Sequence, residues 1–411
     1  MMAKLEFDDL RFEEDNDLIK VTFLKIFYFN LSKQDIKEID DFKIEKNAII
    51  FKNISEKKAT NKFYRLLEKG FKDLKNKLNN KKTIYIHKNS GIPLIGHVAF
   101  GLVDRNTNLI EVKPITSCNI NCIYCSVDED KRPTDFVIEE EYLAEEFRKL
   151  VEFKDVDGID AHIASQGEPL LYSPLVDLVK DISKINQVKN ISIDTNGTML
   201  NKQLVDELVD AGLTQFNLSI NALDVELSKK IANGPYDIEN IKELAKYISK
   251  KANLIITPVM LHGVNEEEMP KIIKFAKEIN AKMGIQNFLN YRFGRNPVKQ
   301  INFDKFYEKL KAWEKEFDIK LILDESYFNI KKTKQLDKPF DKEDVVKAQI
   351  IGNGRLKNEK IAVAKDTSEG RFRKDKVFSK RIITIPNCDK QGNVKIRITK
   401  SKHNIFIGEL V

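Results

Sequence analysis

The sequence predicts an α/β protein built around a partial (β/α)6 barrel, with a small α+β region before it and a small β-barrel after it. Three observations predict this. Between residues 109 and 325, six β-rich runs alternate with six amphipathic runs of helical period. Over residues 1–108, short strand-like runs surround a single helical one. From residue 346 onward the runs are short, alternating and punctuated by glycine. Strand and helix in regular succession imply a parallel sheet, and right-handed crossovers wind six such units towards a barrel.

In the first region, Val21–Asn30 and Ala48–Asn53 are rich in aromatic and β-branched residues, as strands are. Phe63–Leu78 carries Leu66, Leu67, Phe71, Leu74 and Leu78 at helical spacing, and Thr83–His87 alternates as a strand. His97 is the one titratable residue in the apolar run Pro93–Gly101 and is expected to be a hydrogen-bonded core residue. In the second region the strands are Leu109–Ile115, Gly158–Ser165, Asn190–Thr195, Gln215–Ile220, Asn253–Met260 and Met283–Leu289. The helices are Glu139–Val151, Ser173–Ile185, Lys202–Ala211, Ile238–Lys251, Glu266–Ile279 and Phe303–Phe317. In such barrels the chemistry sits on loops after the strands' C-terminal ends. Residues 326–345, with Lys331-Lys332-Thr333-Lys334 and Lys338-Pro339, suit a connector. Beyond it, in 346–411, Val394–Lys400 alternates strictly, its apolar side chains facing one way and Lys395, Arg397 and Thr399 the other. Arg371–Phe378 and Arg381–Ile385 are similar, and Gly352, Gly354, Gly370, Gly392 and Gly408 separate the runs. A small OB-like barrel with a basic face is expected.

Composition excludes several classes. Hydrophobic residues make up 42% and charged residues 32%, which is globular rather than disordered. Four cysteines in 411 residues rule out a disulfide scaffold and fit a reducing compartment. The longest nearly unbroken apolar stretch, Ile92–Val103, is too short to span a bilayer. The first nine residues hold no apolar signal core, so a cytoplasmic protein is expected. Abundant Lys and Glu with scarce Cys and Gln form a thermophile-like bias. The net charge of +7 is unevenly placed: residues 346–411 hold 16 Lys and Arg against 6 Asp and Glu, and the rest of the chain 54 against 57. A concentrated excess of that kind is either a footprint for a polyanion or a solvated basic surface.

Three of the four cysteines fall within eight residues, Cys118-Asn119-Ile120-Asn121-Cys122-Ile123-Tyr124-Cys125, just after the first barrel strand. Steps of four and three would align on one helix face, but Pro114, Asn119 and Asn121 favour a loop. A zinc site wants four ligands, and no neighbouring Cys or His pair supplies the fourth. Three thiolates suit a 4Fe–4S cluster with one iron left open.

This CxxxCxxC loop resembles that of the radical S-adenosylmethionine (SAM) superfamily. The resemblance implies that Cys118, Cys122 and Cys125 hold a 4Fe–4S cluster whose open iron binds S-adenosyl-L-methionine. It implies that an electron from an external donor cleaves the sulfonium to a 5′-deoxyadenosyl radical, and that Tyr124 lies by the adenine. Other loops match in order. Ser165-Gln166-Gly167-Glu168-Pro169 is similar to the family's GGEP element, with Gln166 in place of the first glycine; Glu168 and the local backbone would receive the methionine ammonium. Thr195 and Asn196, in Asp194-Thr195-Asn196-Gly197, resemble the TNG turn. Ser219 and Asn221 would reach the ribose or carboxylate. Met260, at the end of the fifth strand, is a further cofactor-binding candidate, and Gln286 and Asn287 on the sixth would close the adenine pocket.

Absent residues narrow the family. Methylthiotransferases join a radical core to a TRAM-type RNA-binding barrel, but they also carry three further cysteines ahead of it, and residues 1–108 contain none. Sulfur insertion is therefore disfavoured, as are the cysteine-rich peptide-maturing relatives. A cobalamin domain is not expected, since the short N-terminal region lacks its histidine loop signature. Cys388 is the only spare thiol: either an inert small hydrophobe or a catalytic thiol that donates a hydrogen atom or carries a methyl group. Arg292, Arg295 and Asn296 are candidates for phosphate contact, the alternative being ordinary surface arginines. Phe372, Phe378 and Phe406 are candidates for base stacking, against core packing. The sequence thus points to a radical SAM enzyme acting on RNA, tRNA foremost, held by a TRAM-like C-terminal domain. Methyl or other carbon-group transfer is the reaction expected within that class. The alternatives are a protein or small-metabolite substrate, and a non-catalytic RNA-binding protein.

Overall fold

The computed structural model describes residues 2–365 and 380–411. At its centre is a seven-stranded sheet. Six strands, Leu109–Lys113, Ile159–Ile163, Val188–Thr195, Gln215–Leu218, Asn253–Ile256 and Lys282–Met283, run parallel and lie side by side in chain order. A seventh, Gly101–Asp104, closes one edge antiparallel to the first. This is the expected succession, wound as an open barrel. The strands are shorter than the sequence runs because Ile115, Ser165 and Ile220 already belong to the loops that follow.

The covering helices are Glu140–Lys154, Leu175–Ser183, Lys202–Ala211, Ile238–Ile248, Met269–Glu278 and Phe303–Phe317, with one unanticipated helix at Val225–Ala232. Their apolar stripes follow the helical period: Ile238, Ile241, Leu244, Ala245 and Ile248 are all buried on one face. Their ends are written locally. The Asn201 side chain accepts from Leu204 N, and the helix it opens stops at Gly212 with φ 115°, in the left-handed region that glycine enters without strain.

The N-terminal segment forms two sheets around the helix Glu56–Lys72, which buries Ala59, Phe63, Leu67 and Gly70. The run Val21–Asn30 proves to be a hairpin, Leu18–Phe23 against Phe27–Ser32, turning at Leu24 and Lys25, both with positive φ. The expected helix begins earlier, at Glu56, and ends at Lys72, so Leu74 and Leu78 lie beyond it. Strand Thr134–Ile138, from the barrel half, pairs in parallel with Lys82–Ile86 and so stitches the N-terminal sheet beneath the loop after the first barrel strand.

The C-terminal strands Val345–Asn353, Lys360–Lys365, Lys380–Ile385, Ile405–Leu410 and Asn393–Lys402 close into a small barrel in that order, leaving no free edge. Its core includes Phe340, Val346, Ala348, Ile383, Ile385, Cys388, Ile396, Ile398 and Phe406. Ile396 and Ile398 point in while Lys395 and Thr399 face out, as the alternation requires. Phe406 is fully buried, edge-on to Phe340 at 5.4 Å, so it packs the core and is not a stacking platform. Phe372 and Phe378 lie outside the described residues. Among the described residues no helix is long and apolar enough to cross a membrane.

Candidate active site

The loop after Leu109–Lys113 carries the three cysteines without forming a helix; among residues 114–133 only Glu129–Lys131 makes a helical turn, and it is a 3-10 one. All three cysteines line one cavity of about 710 Å³ at the C-terminal ends of the strands. Gln166, Gly167 and Glu168 from the second strand's loop line it too, as do Thr195 and Asn196 from the third and Ser219 from the fourth.

The cysteine loop is braced from below. Asp135 is fully buried and accepts from Ser117 Oγ at 3.0 Å, Asn76 Nδ2 at 2.9 Å and Thr116 Oγ1 at 3.3 Å. Arg295 braces it from the side, donating to the Asn121 carbonyl at 2.6 Å and the Cys122 carbonyl at 3.2 Å while pairing with Asp128 and Asp130. Expected to meet phosphate, Arg295 is instead spent on the cluster loop. Asn296 is likewise spent, bonded to Asn290 and Tyr291 within its own loop, and Arg292 lies exposed over the Phe293 ring.

The second loop is pressed against the first. A Cβ on Gly167 would stand 2.2 Å from the Ser117 carbonyl oxygen, so only glycine permits this approach, and Glu168 N donates to that same oxygen at 2.8 Å. The Glu168 side chain then ties the loop to the third strand. Oε1 accepts from Thr195 Oγ1 at 2.7 Å and Leu170 N at 3.0 Å, and Oε2 accepts from Asn196 N at 2.8 Å. Burial pushes its carboxyl up to about 7, against the pull of those three donors. Beside it, Asn221 donates to the Tyr124 hydroxyl at 2.8 Å, and Tyr124, Ser219, Asn221 and Tyr236 wall a small pocket next to Cys122.

The donor set fits an iron–sulfur cube. Burial pushes all three thiols up, Cys122 to about 12, and bound iron is what would hold them as thiolates. Among the described residues no three His, Cys, Asp or Glu side chains gather tightly enough for a single metal ion. A cube presents its irons at separate corners and asks for sulfurs spread around it. Cys118, Cys122 and Cys125 would hold three of its irons, and Glu168, Thr195, Asn196, Ser219 and Tyr124 line the same cavity.

A second cavity of about 420 Å³ runs into the barrel and shares Leu109, His162 and Asp194 with the first. Along it runs a polar chain that motif matching does not find. His162 Nε2 meets Asp194 at 3.3 Å, and His162 Nδ1 meets Ser192 Oγ at 2.9 Å. Ser192 donates to Asp160 at 3.3 Å. Burial alone would lower the His162 pKa; the Asp194 and Asp160 carboxylates overcome it and raise it. These residues alternate along two strands, so the inward-facing period of two was their only sequence signal.

Of the remaining expected residues, Gln286 lines the inner cavity. Met260 is 1% exposed in the core and Asn287 turns its amide to the Ile301 carbonyl, so neither lines the two cavities: the fifth and sixth strands end in a short pair, Val259–Met260 with Gln286–Asn287, that points them elsewhere. Pro169 opens a 3-10 turn behind Glu168. Cys388 is a correction. It is 2% exposed in the apolar core of the C-terminal barrel and lines neither cavity, so its surroundings are those of an inert hydrophobe and not of a catalytic thiol.

An open parallel barrel carrying three cysteines and an acid-bearing glycine loop at its mouth defines a SAM-cleaving iron–sulfur enzyme. The profile of the radical SAM superfamily matches residues 112–276. This chain belongs to that superfamily, and its cofactors are a 4Fe–4S cluster and SAM. It is 40% identical over 376 residues to an uncharacterised protein of Methanocaldococcus jannaschii, covering 82% of this chain and 83% of that one. It is 30% identical to a probable GTP 3′,8-cyclase of Methanococcus aeolicus, covering 54% of this chain and 68% of the relative. Among solved structures, TYW1 with a lysine-pyruvate adduct bound superposes with a TM-score of 0.42 and 21% identity, covering 56% of this chain and 80% of that one.

Proposed function

We propose that this enzyme directs a 5′-deoxyadenosyl radical, generated from SAM at the cluster, to an unactivated carbon of RNA, tRNA in the first instance, with methyl or other carbon-group transfer as the outcome. The observation that carries the radical chemistry is the convergence of Cys118, Cys122 and Cys125 with Glu168, Thr195 and Asn196 on one cavity. Within it, Glu168 would take the methionine ammonium on the free lone pair of Oε2, Ser219 and Asn196 would hold the carboxylate or ribose, and Tyr124, steadied by Asn221, would flank the adenine. The inner cavity would receive the reacting group of the substrate.

Support for RNA comes from the C-terminal barrel. Lys347, Lys380 and Lys395 line a groove of about 760 Å³ on its outer face, beside Ser90 and Gly91. Lys347 and Lys395 are direct cross-strand partners, a like-charge pairing that costs stability unless an anion lies across it. No ion-pair partner of these three lysines is found among the described residues. Such a face would bind a phosphate backbone with affinity falling steeply with salt. A second reading, in which the same radical acts on a protein or small metabolite, has its own support. Asp160 and Asp194 line the inner cavity, which favours a neutral or cationic group over a phosphate.

Anaerobic reduction with SAM should release 5′-deoxyadenosine from the wild type and none from Cys122→Ala. Nucleoside mass spectra of tRNA and rRNA from wild-type and deletion strains should differ by one modified residue. Identical spectra, together with no tRNA binding at low salt, would transfer the proposal to the second reading.

A further inference from the structure

The C-terminal barrel reaches into the SAM site through one side chain. Its first hairpin, between Val345–Asn353 and Lys360–Lys365, carries Arg355 at its tip. Glu359 shapes that tip, accepting from Arg355 N at 2.9 Å and Leu356 N at 3.1 Å. The guanidinium is 1% exposed and lies deep in the radical core. Nη2 donates to the Thr116 carbonyl at 3.1 Å and the Gln166 carbonyl at 3.0 Å, and pairs with Glu129 at 2.6 Å; Nη1 faces Asp135 at 3.4 Å.

Thr116 stands two residues before Cys118, and Gln166 two residues before Glu168. One planar group therefore bonds the backbone of both the cysteine loop and the loop that carries Glu168. A buried cation is tolerated only where carboxylates and carbonyls surround it, and here Glu129 and Asp135 neutralise it. Geometry, and not charge alone, matters at such a site: a lysine is a point charge and cannot bridge two carbonyls and two carboxylates at once.

We propose that Arg355 is a positioning residue for SAM, setting the spacing between the cysteine loop and the Gln166–Pro169 loop, so that the C-terminal barrel is a structural part of the SAM site. This rests on those two loops being the cluster and SAM loops. The test uses full-length Arg355→Lys and Arg355→Met, with Arg397→Met, which breaks only the surface pair with Glu409, as the control. Hydrogen–deuterium exchange of the cluster-free proteins is read at residues 116–119 and 166–168, and SAM affinity of the reconstituted proteins is read by calorimetry at equal iron content. Losing bonds to a charged donor should speed exchange in both segments and weaken SAM binding, each about tenfold or more, while strands Asn393–Lys402 and Ile405–Leu410 exchange as in the wild type. If Arg355→Met does not fold, Arg355→Lys carries the comparison. Wild-type exchange in both segments of Arg355→Lys overturns the proposal, and so does acceleration spread evenly over the chain. Failure of the wild type itself to bind SAM would defeat the assignment of the loops but leave the exchange comparison intact, so the two failures are separable.

Discussion

His97 gives the core beneath the cysteine loop a pH dependence of predictable sign. The imidazole is 4% exposed, stacked on Phe100 with ring centroids 4.4 Å apart, and its Nδ1 accepts from Ala99 N at 3.1 Å. Burial, helped by the nearby Arg355 and Arg132 charges, drives its pKa down to about 3. The folded protein therefore keeps His97 neutral in a window where the unfolded chain, titrating near 6.5, is protonated. The unfolded state binds more protons between those values, so stability rises with pH from about 3 to 6.5, is complete above 6.5, and is lost on acidification. At pH 4.5 the unfolded chain gains about two pK units of protonation free energy, roughly 3 kcal/mol, that the folded chain does not. His97→Asn keeps an acceptor for Ala99 N but cannot titrate. It should lower stability at pH 7.5 through the lost ring, yet fall by roughly 3 kcal/mol less than the wild type between pH 7.5 and 4.5. Urea unfolding of the cluster-free proteins followed by circular dichroism measures both slopes. Parallel stability–pH curves for the two proteins would refute the assignment of a neutral buried His97.

The site itself yields further expectations. Gly167→Ala sets a Cβ 2.2 Å from the Ser117 carbonyl oxygen and 2.6 Å from that of Thr116, forcing two motif loops apart; a loss of about 1–3 kcal/mol by urea unfolding and reduced iron and sulfide content after reconstitution are expected. Glu168→Gln places an amide donor where one carboxylate oxygen accepted, so SAM affinity by calorimetry at pH 8 should fall by about tenfold or more. The same variant removes a carboxyl held up to about 7, whose burial makes the wild type lose stability as pH rises from about 4.5 to 7; that decline should be shallower in Glu168→Gln by urea unfolding.

The barrel was legible because its signal is periodic. Six apolar runs with helices between them have few alternatives, and the loop rule then located the cysteines, Glu168, Asn196 and Ser219 on one rim. What misled was local chemistry read without its partners. Arg295 has the look of a phosphate ligand because its acceptors, the Asn121 and Cys122 carbonyls, are more than 170 residues away. Cys388 has the look of a reactive spare thiol because one residue says nothing of the apolar core that encloses it. Met260 and Asn287 sit at strand ends, but the short pair they form diverts them from the rim. His162 and Asp194 passed unseen because an acid and a histidine more than 30 residues apart, on two neighbouring strands, form no motif until the sheet sets Ile193 beside Ile163.

Arg355 shows why such a site is more than its motif. Motifs record where backbone must approach closely, and beside Gly167 that approach leaves the Thr116 and Gln166 carbonyls to a side-chain donor, Arg355. Something must satisfy them, and in a low-dielectric interior an unpaired carbonyl is costly. Here the donor comes from 239 residues beyond Thr116, in a barrel whose lysine face turns outward while one arginine turns in. The same small domain thus presents a candidate docking face and a strut beneath the SAM loop. Arg355 sits at the tip of a hairpin that Glu359 closes, so Glu359→Gln, which weakens the hairpin tip without touching the core, should reproduce a muted form of the Arg355→Lys exchange pattern at residues 116–119 and 166–168.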